Sequence, residues 1–272
     1  MPYAEREGAR IYWEAQGEGE PLLLIHGLGY THDMWFRLVP TLAERYRTIT
    51  YDNRGLGLSD YTPGPYLVPD MAEDAFAVLD AAGVDSAHVM GGSLGALYAM
   101  EMALSRPARV RSLILGGATA PGPSFVPAEP ELYAAGAARA TMAPAEGVRA
   151  LIPFTYDPET PRERIEEDLA VRLAHYPTPE GYAAQVAWVG TYENEARVGA
   201  IKAPTLVIHG ETDRFVPVAN GRNLASWIPG ARLEVLPHAS HIFFTDQTDL
   251  TLKAMLDFLA SMDRAAAGAP EA

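Results

Sequence analysis

The chain contains no cysteine. That excludes a disulfide framework, a thiol nucleophile and any Cys-ligated zinc or iron–sulfur centre, and it points to a cytoplasmic compartment. Positive charge is scarce as well: 21 Lys and Arg stand against 35 Asp and Glu, a formal net charge of -14. Nucleic-acid binding draws its affinity from clustered Lys and Arg, so no nucleic-acid partner is expected. No apolar run approaches the length that spans a bilayer, and the opening MPYAEREGARIYWEA spreads charges where a secretory leader would be apolar. Neither a membrane partner nor a leader is expected. H-E-x-x-H and Walker-type motifs are lacking, and GLGLSD after a strand does not fit G-x-G-x-x-G. Catalysis is therefore expected to need no metal and no cofactor.

What is present is an ordinary globular composition: 272 residues, 48% hydrophobic and 21% charged. A chain of that size can bury roughly three quarters of its unfolded surface. Short apolar runs alternate with helical patterns, the signature of a parallel sheet with crossover helices. Strands are predicted at Leu22–His26, Thr48–Tyr51, Ala87–Met90, Val110–Leu115, Thr205–His209 and Leu233–Leu236, with a closing helix around Leu250–Met262. Residues 1–118 and 200–262 then form an α/β core. The intervening 119–199 holds ten of the 22 prolines and has helical apolar spacing, so it reads as a helical cap insertion. In TPRERIEEDLAVRLAHYP, Thr160 is predicted as N-cap, Pro161 as the first helical residue and Glu163 as the capping-box partner. TPEGYAAQVAWVG repeats that opening. Residues 263–272 lack a periodic apolar face and are expected to form a disordered tail.

GGSLG, Gly91–Gly95, follows the strand-like SAHVM and precedes the helical ALYAMEMAL. A serine at such a turn is either a bystander in a glycine-rich bend or a nucleophile whose hydroxyl stands free, and the pentapeptide alone leaves both readings open. A serine nucleophile needs a base and an acid to orient it. Of the seven histidines, His26 and His209 end strands, His88 lies inside one, and His32 and His175 fall in helical patterns. His238 and His241 share the loop after the last strand; His241 is preferred because the Ile-Phe-Phe behind it can anchor the loop over the sheet edge. Asp213, just past a strand end, is the candidate acid, with Glu211 a weaker rival and a helix-capping role the competing explanation for Asp213. Backbone N–H groups of Leu28 and Leu94 are the candidate oxyanion donors.

These segments resemble those of the α/β-hydrolase superfamily over nearly the whole chain. HGLGYTHDMW is similar to its oxyanion segment, YDNRGLGLSD to its Arg-Gly-x-Gly-x-Ser turn, GGSLG to its nucleophile elbow, and PTLVIHGETDRFVP and ASHIFF to the surroundings of its acid and base. The resemblance implies an α/β-hydrolase fold, a mostly parallel central sheet flanked by helices with a helical cap. It also implies a serine hydrolase with Ser93, Asp213 and His241 as triad, acting on a small-molecule ester or lactone as a monomer or homodimer. Trp35, Phe125, Phe154, Tyr182 and Trp188 are candidate pocket residues, although Trp35 can equally pack beneath the oxyanion loop. Asp52 and Arg54 read as a structural turn. A proline-iminopeptidase-like activity, carbon–carbon bond hydrolysis and a non-catalytic receptor role are the alternatives. Leu94 stands where those peptidases resemble one another in having Trp.

Overall fold

Runs such as PLLLI and AHVMGG show no polar alternation because both faces of the strands they form are covered. The structure, a computed structural model describing residues 2–139, 141–187 and 191–267, is built on eight such segments. They are β1 (Tyr3–Arg6), β2 (Ala9–Gln16), β3 (Glu20–Ile25), β4 (Tyr46–Tyr51), β5 (Ala87–Gly92), β6 (Val110–Gly116), β7 (Thr205–Gly210) and β8 (Arg232–Leu236). They form one sheet in the order β1-β2-β4-β3-β5-β6-β7-β8. Pairing is antiparallel for β1 with β2 and for β2 with β4, and parallel from β4 through β8. Side chains alternate between two cores: Leu23 and Ile25 of β3 join Val89 and Val207 on one face, while Leu22 and Leu24 join Met90, Leu206 and Ile208 on the other.

Helices α1 (Val39–Leu42), α2 (Val68–Ala81) and α3 (Leu94–Ser105) lie between strands of the first half. α3 is buried from Leu94 to Ala103 and packs against α2, β5 and β6, which accounts for its lack of a polar stripe. Between β6 and β7 come α4 (Pro130–Arg139), α5 (Pro144–Arg149), α6 (Ile152–Thr155), α7 (Arg162–Ala174) and α8 (Pro179–Val186). α9 (Val218–Trp227), α10 (Phe243–Asp246) and α11 (Thr248–Ala267) complete the chain. Among the described residues no helix is long and apolar enough to cross a membrane.

The structure corrects three local expectations. β1 and β2 precede Leu22, where no strand was predicted. β1 is a short edge strand and β2 lies between it and β4; the two are joined by a turn at Glu7 and Gly8, both at positive φ (48° and 77°), and their charged positions mask the apolar alternation. α11 continues through Ala267, so 263–267 is helix rather than tail; residues 268–272 lie outside the described residues. Thr160 does not cap α7, whose N-cap is Pro161 with no side-chain capping bond. Its hydroxyl instead donates to Asp246 Oδ1 at 2.6 Å, a buried carboxylate that outcompetes a helix N-terminus. The second Thr-Pro-Glu behaves as its spacing suggests: Thr178 Oγ1 accepts from the Gly181 N–H at 3.1 Å.

Candidate active site

The sheet order reverses its chain direction between β3 and β5, the place where open α/β sheets leave a crevice at the strand ends. Ser93 sits there, after β5, with φ 52° and ψ -119°. A non-glycine residue held in that region carries strain of about 1–3 kcal/mol. The flanking glycines explain how the turn closes. A Cβ on Gly91 would lie 2.3 Å from the Gly95 carbonyl oxygen, and one on Gly95 would lie 2.4 Å from that of Ile25. Any side chain at either position would push helix and strand apart.

Two loops complete the arrangement. His241 Nε2 lies 2.9 Å from Ser93 Oγ, and its Nδ1 lies 2.9 Å from Asp213 Oδ2. Asp213 Oδ1 accepts the N–H groups of Phe215 at 2.9 Å and Val216 at 2.8 Å. Burial alone would push the Asp213 carboxyl upward. The nearby charge of His241, together with hydrogen bonds from His209 and His241, overrides it and brings the group down to about 2. An ionised Asp213 can only accept, so a neutral His241 carries its proton on Nδ1 and presents a free lone pair on Nε2 to the serine hydroxyl. Phe215 stacks on the His241 ring with centroids 4.7 Å apart, which restricts the ring's rotation.

The loop after β3 touches the elbow: a Cβ on Gly27 would lie 3.0 Å from Ser93 Cβ. Leu94 opens α3, so its N–H belongs to the first turn, which has no intrahelical acceptor. The Leu28 N–H has no acceptor among the described residues. Both leucines line the cavity that Ser93 and His241 face, about 720 Å³ in volume. Of the pocket candidates, Phe125 and Tyr182 line this cavity. Trp35 does not; it is buried against His26, centroids 4.2 Å apart, and against Phe244. Phe154 does not either, because it packs with Leu132 and Leu151 in a separate small cluster under the Arg214 guanidinium. Trp188 lies outside the described residues.

Asp52 and Arg54 hold turns together. Asp52 accepts the N–H groups of His32 and Leu58, each at 2.8 Å, and Arg54 makes a bidentate pair with buried Asp74 at 2.9 and 2.6 Å. His238 points away from the serine and pairs with Glu159 at 3.1 Å. Asp157, Glu159 and His238 could offer three metal-ligand atoms within 4.8 Å of one another. Protein donors already serve Asp157, which accepts from Thr212 at 2.6 Å and from the Glu159 N–H at 2.9 Å, so the cluster needs no ion to be stable.

Three residues in or beside the cavity, Gln185, Arg139 and Arg172, carry no signal in the sequence, and His26 takes a role that its place in HGLGYTHDMW does not specify. Gln185 of α8, fully buried, accepts the Gly29 N–H at 3.1 Å and so ties the β6–β7 helices to the loop bearing Leu28. His26 accepts the Gly27 N–H at Nδ1, 2.8 Å; burial, with the charges of Arg172 and His241, lowers it to about 3 and keeps it neutral. Arg139 and Arg172 also line the cavity. Helix-borne arginines carry no motif that separates them from solvated ones.

A family model described as the alpha/beta hydrolase fold matches residues 20–248. The chain belongs to the α/β-hydrolase family and is, with it, a hydrolase acting on small molecules. More particularly, it is 35% identical, over 97% of its own length and 100% of the relative's, to a protein of Azorhizobium caulinodans that bears the name carbamate hydrolase RutD. It is 33% identical to the 2-hydroxymuconate semialdehyde hydrolase of Pseudomonas sp. strain CF600, over 95% of this chain and 93% of the other. Among solved structures, the enol-lactonase of Burkholderia xenovorans LB400 matches with a TM-score of 0.83 at 27% identity, covering 95% of this chain and all of that one.

Proposed function

We propose that the protein is a serine hydrolase that cleaves a carboxylic ester or lactone through an acyl-enzyme. Ser93 attacks the carbonyl carbon, His241 takes its proton at Nε2 and returns it to the leaving oxygen, and Asp213 orients the ring and stabilises the imidazolium. The N–H groups of Leu28 and Leu94 receive the oxyanion, and residues 119–199 act as the cap that shapes the cavity. Water then enters, gives its proton to His241 and releases the acid. The observation that carries this reading is the unbroken chain from Ser93 Oγ through the His241 ring to Asp213, 2.9 Å at each link. Such geometry matches a nucleophile, a general base and its orienting acid.

Ser93→Ala should abolish turnover of p-nitrophenyl esters and labelling by a fluorophosphonate probe. Retention of wild-type rates in that variant would refute the assignment. The same triad can serve carbon–carbon bond hydrolysis, a reading favoured by the 33% identity to 2-hydroxymuconate semialdehyde hydrolase; turnover of a vinylogous diketone without turnover of esters would establish it instead. An iminopeptidase-like substrate would bring an ammonium group, but the charges that line the cavity out of full solvent are buried Arg172 and half-buried Arg139 rather than an acid.

A further inference from the structure

Arg172 stands in the last turn of α7, 7% exposed, and lines the cavity shared by Ser93 and His241. Its Nε is buried without a hydrogen-bond partner, and among the described residues no carboxylate pairs with it. Asp168, one turn earlier on the same helix, is the natural partner, yet its oxygens are taken. Oδ1 accepts from Arg37 at 3.1 and 3.2 Å, and Oδ2 accepts from Tyr156 at 3.1 Å and Thr245 at 2.6 Å. What Arg172 does have is a cushion: its guanidinium lies 4.2 Å from the centre of the Tyr30 ring.

Arg139, half-buried at the end of α4, repeats part of the arrangement. It donates to the Tyr176 hydroxyl at 2.8 Å and lies 5.0 Å from the Tyr182 ring centre, again with no carboxylate partner among the described residues. The acid that lines the cavity, Glu193, is exposed to solvent and pairs with neither. Removing a guanidinium from water is costly unless a counter-charge compensates, and an aromatic face returns only part of that cost. A buried, stacked arginine at a cavity wall with no carboxylate partner is therefore a guanidinium with donors to spare for a carboxylate.

We propose that the substrate is itself an acid: its scissile ester or lactone carbonyl sits at Ser93 while a second, free carboxylate docks on Arg172, with Arg139, which also lines the cavity, adding charge. This rests on the serine-hydrolase reading above and adds the substrate class. The enzyme then selects half-esters of dicarboxylic acids or carboxylate-bearing lactones over neutral ones of equal length. Hydrolysis leaves a dianion, so both carboxylates of the product compete for the space.

The test compares kcat/KM for mono-p-nitrophenyl adipate with that for p-nitrophenyl hexanoate, and in parallel measures the thermal midpoint with and without adipate. The wild type should prefer the anionic ester, and Arg172→Gln should lower that preference about 10- to 100-fold, the range for losing a charge-assisted hydrogen bond. Arg172→Lys, which keeps the charge without the fork, should recover part of it. Adipate should raise the midpoint of the wild type and not that of Arg172→Gln. Turnover of both esters with a preference that Arg172→Gln leaves unchanged overturns the anion site alone. Arg172-dependent stabilisation by adipate without any ester turnover sustains the anion site and refutes the ester reading. Should Arg172→Gln fail to fold, the wild-type preference, adipate stabilisation and Arg139→Gln still decide: no preference and no stabilisation refute the proposal.

Discussion

Asp213→Asn separates the two duties that the proposed mechanism gives one carboxylate. The first is electrostatic. The group falls from an ordinary 3.8 to about 2, and at roughly 1.36 kcal/mol per unit that corresponds to about 2 kcal/mol of folding stability. Because the folded value is the lower one, this stability is fully present above pH 4 and disappears as the pH falls towards 2. About half of it should be gone by pH 3. The asparagine variant, having no charge to protonate, lacks this dependence. Urea midpoints at pH 6 and pH 3 should therefore show a difference between wild type and variant that shrinks by about 1 kcal/mol, whatever constant offset the altered hydrogen bonds add.

The second duty is orientation. Asparagine can still accept from Phe215 and Val216 through its oxygen, but its amide then turns two protons towards His241 Nδ1. The ring must move its proton to Nε2, where it can no longer accept the hydrogen of Ser93. A loss in kcat of about 10⁴ is expected from the wrong tautomer. Activity above a tenth of wild type would refute the orienting role, and a stability difference unchanged between pH 6 and pH 3 would refute the charge argument. The two results are independent, since one is read from turnover and the other from unfolding.

How much of this could be read from sequence depends on how tightly geometry constrains residue type. Gly91 and Gly95 are legible because backbone carbonyls stand 2.3 to 2.4 Å from where a Cβ would be; only glycine fits, so the elbow leaves a written trace. Asp213 and His241 are legible because short loops at strand ends hold few candidates. Arg172 and Gln185 leave no such trace. Arg172 reaches the cavity from a face of α7, and Gln185 reaches the loop after β3 from a face of α8; the periodicity of both faces also admits solvated side chains, and only the docking of the helices turns them inward. The same holds for Trp35 and Phe154, since aromatic identity predicts burial but not which of two neighbouring spaces the ring fills. Thr160 is instructive in the opposite direction: its local pattern is a valid cap signal, overridden by Asp246, which lies far along the chain and close in space.

Gly95→Ala should destabilise the protein by about 3 kcal/mol or prevent folding, because the new methyl meets the fixed carbonyls of Ile25 and His26 at 2.4 and 2.7 Å. Gly83→Ala, at φ 69° with open space around it, is the control and should cost about 1 kcal/mol; equal melting temperatures for the two variants would contradict the clash. Asp246 offers a test of opposite sign to Asp213. It accepts from the Ser240 N–H at 2.7 Å, from the Asp157 N–H at 3.2 Å and from Thr160 at 2.6 Å, yet burial outweighs these donors and pushes its carboxyl up to about 6. A folded value above the unfolded 3.8 favours folding below pH 4, and that advantage is lost as the pH rises through 6. Relative to Asp246→Asn, wild type should thus lose on the order of 3 kcal/mol between pH 4 and pH 7. Parallel urea-midpoint curves for the two proteins across that range would mean that Asp246 stays ionised throughout. The loop carrying Ser240 and His241 would then be held by a carboxylate whose hydrogen bonds outweigh its burial, reversing the order of effects inferred from its surroundings.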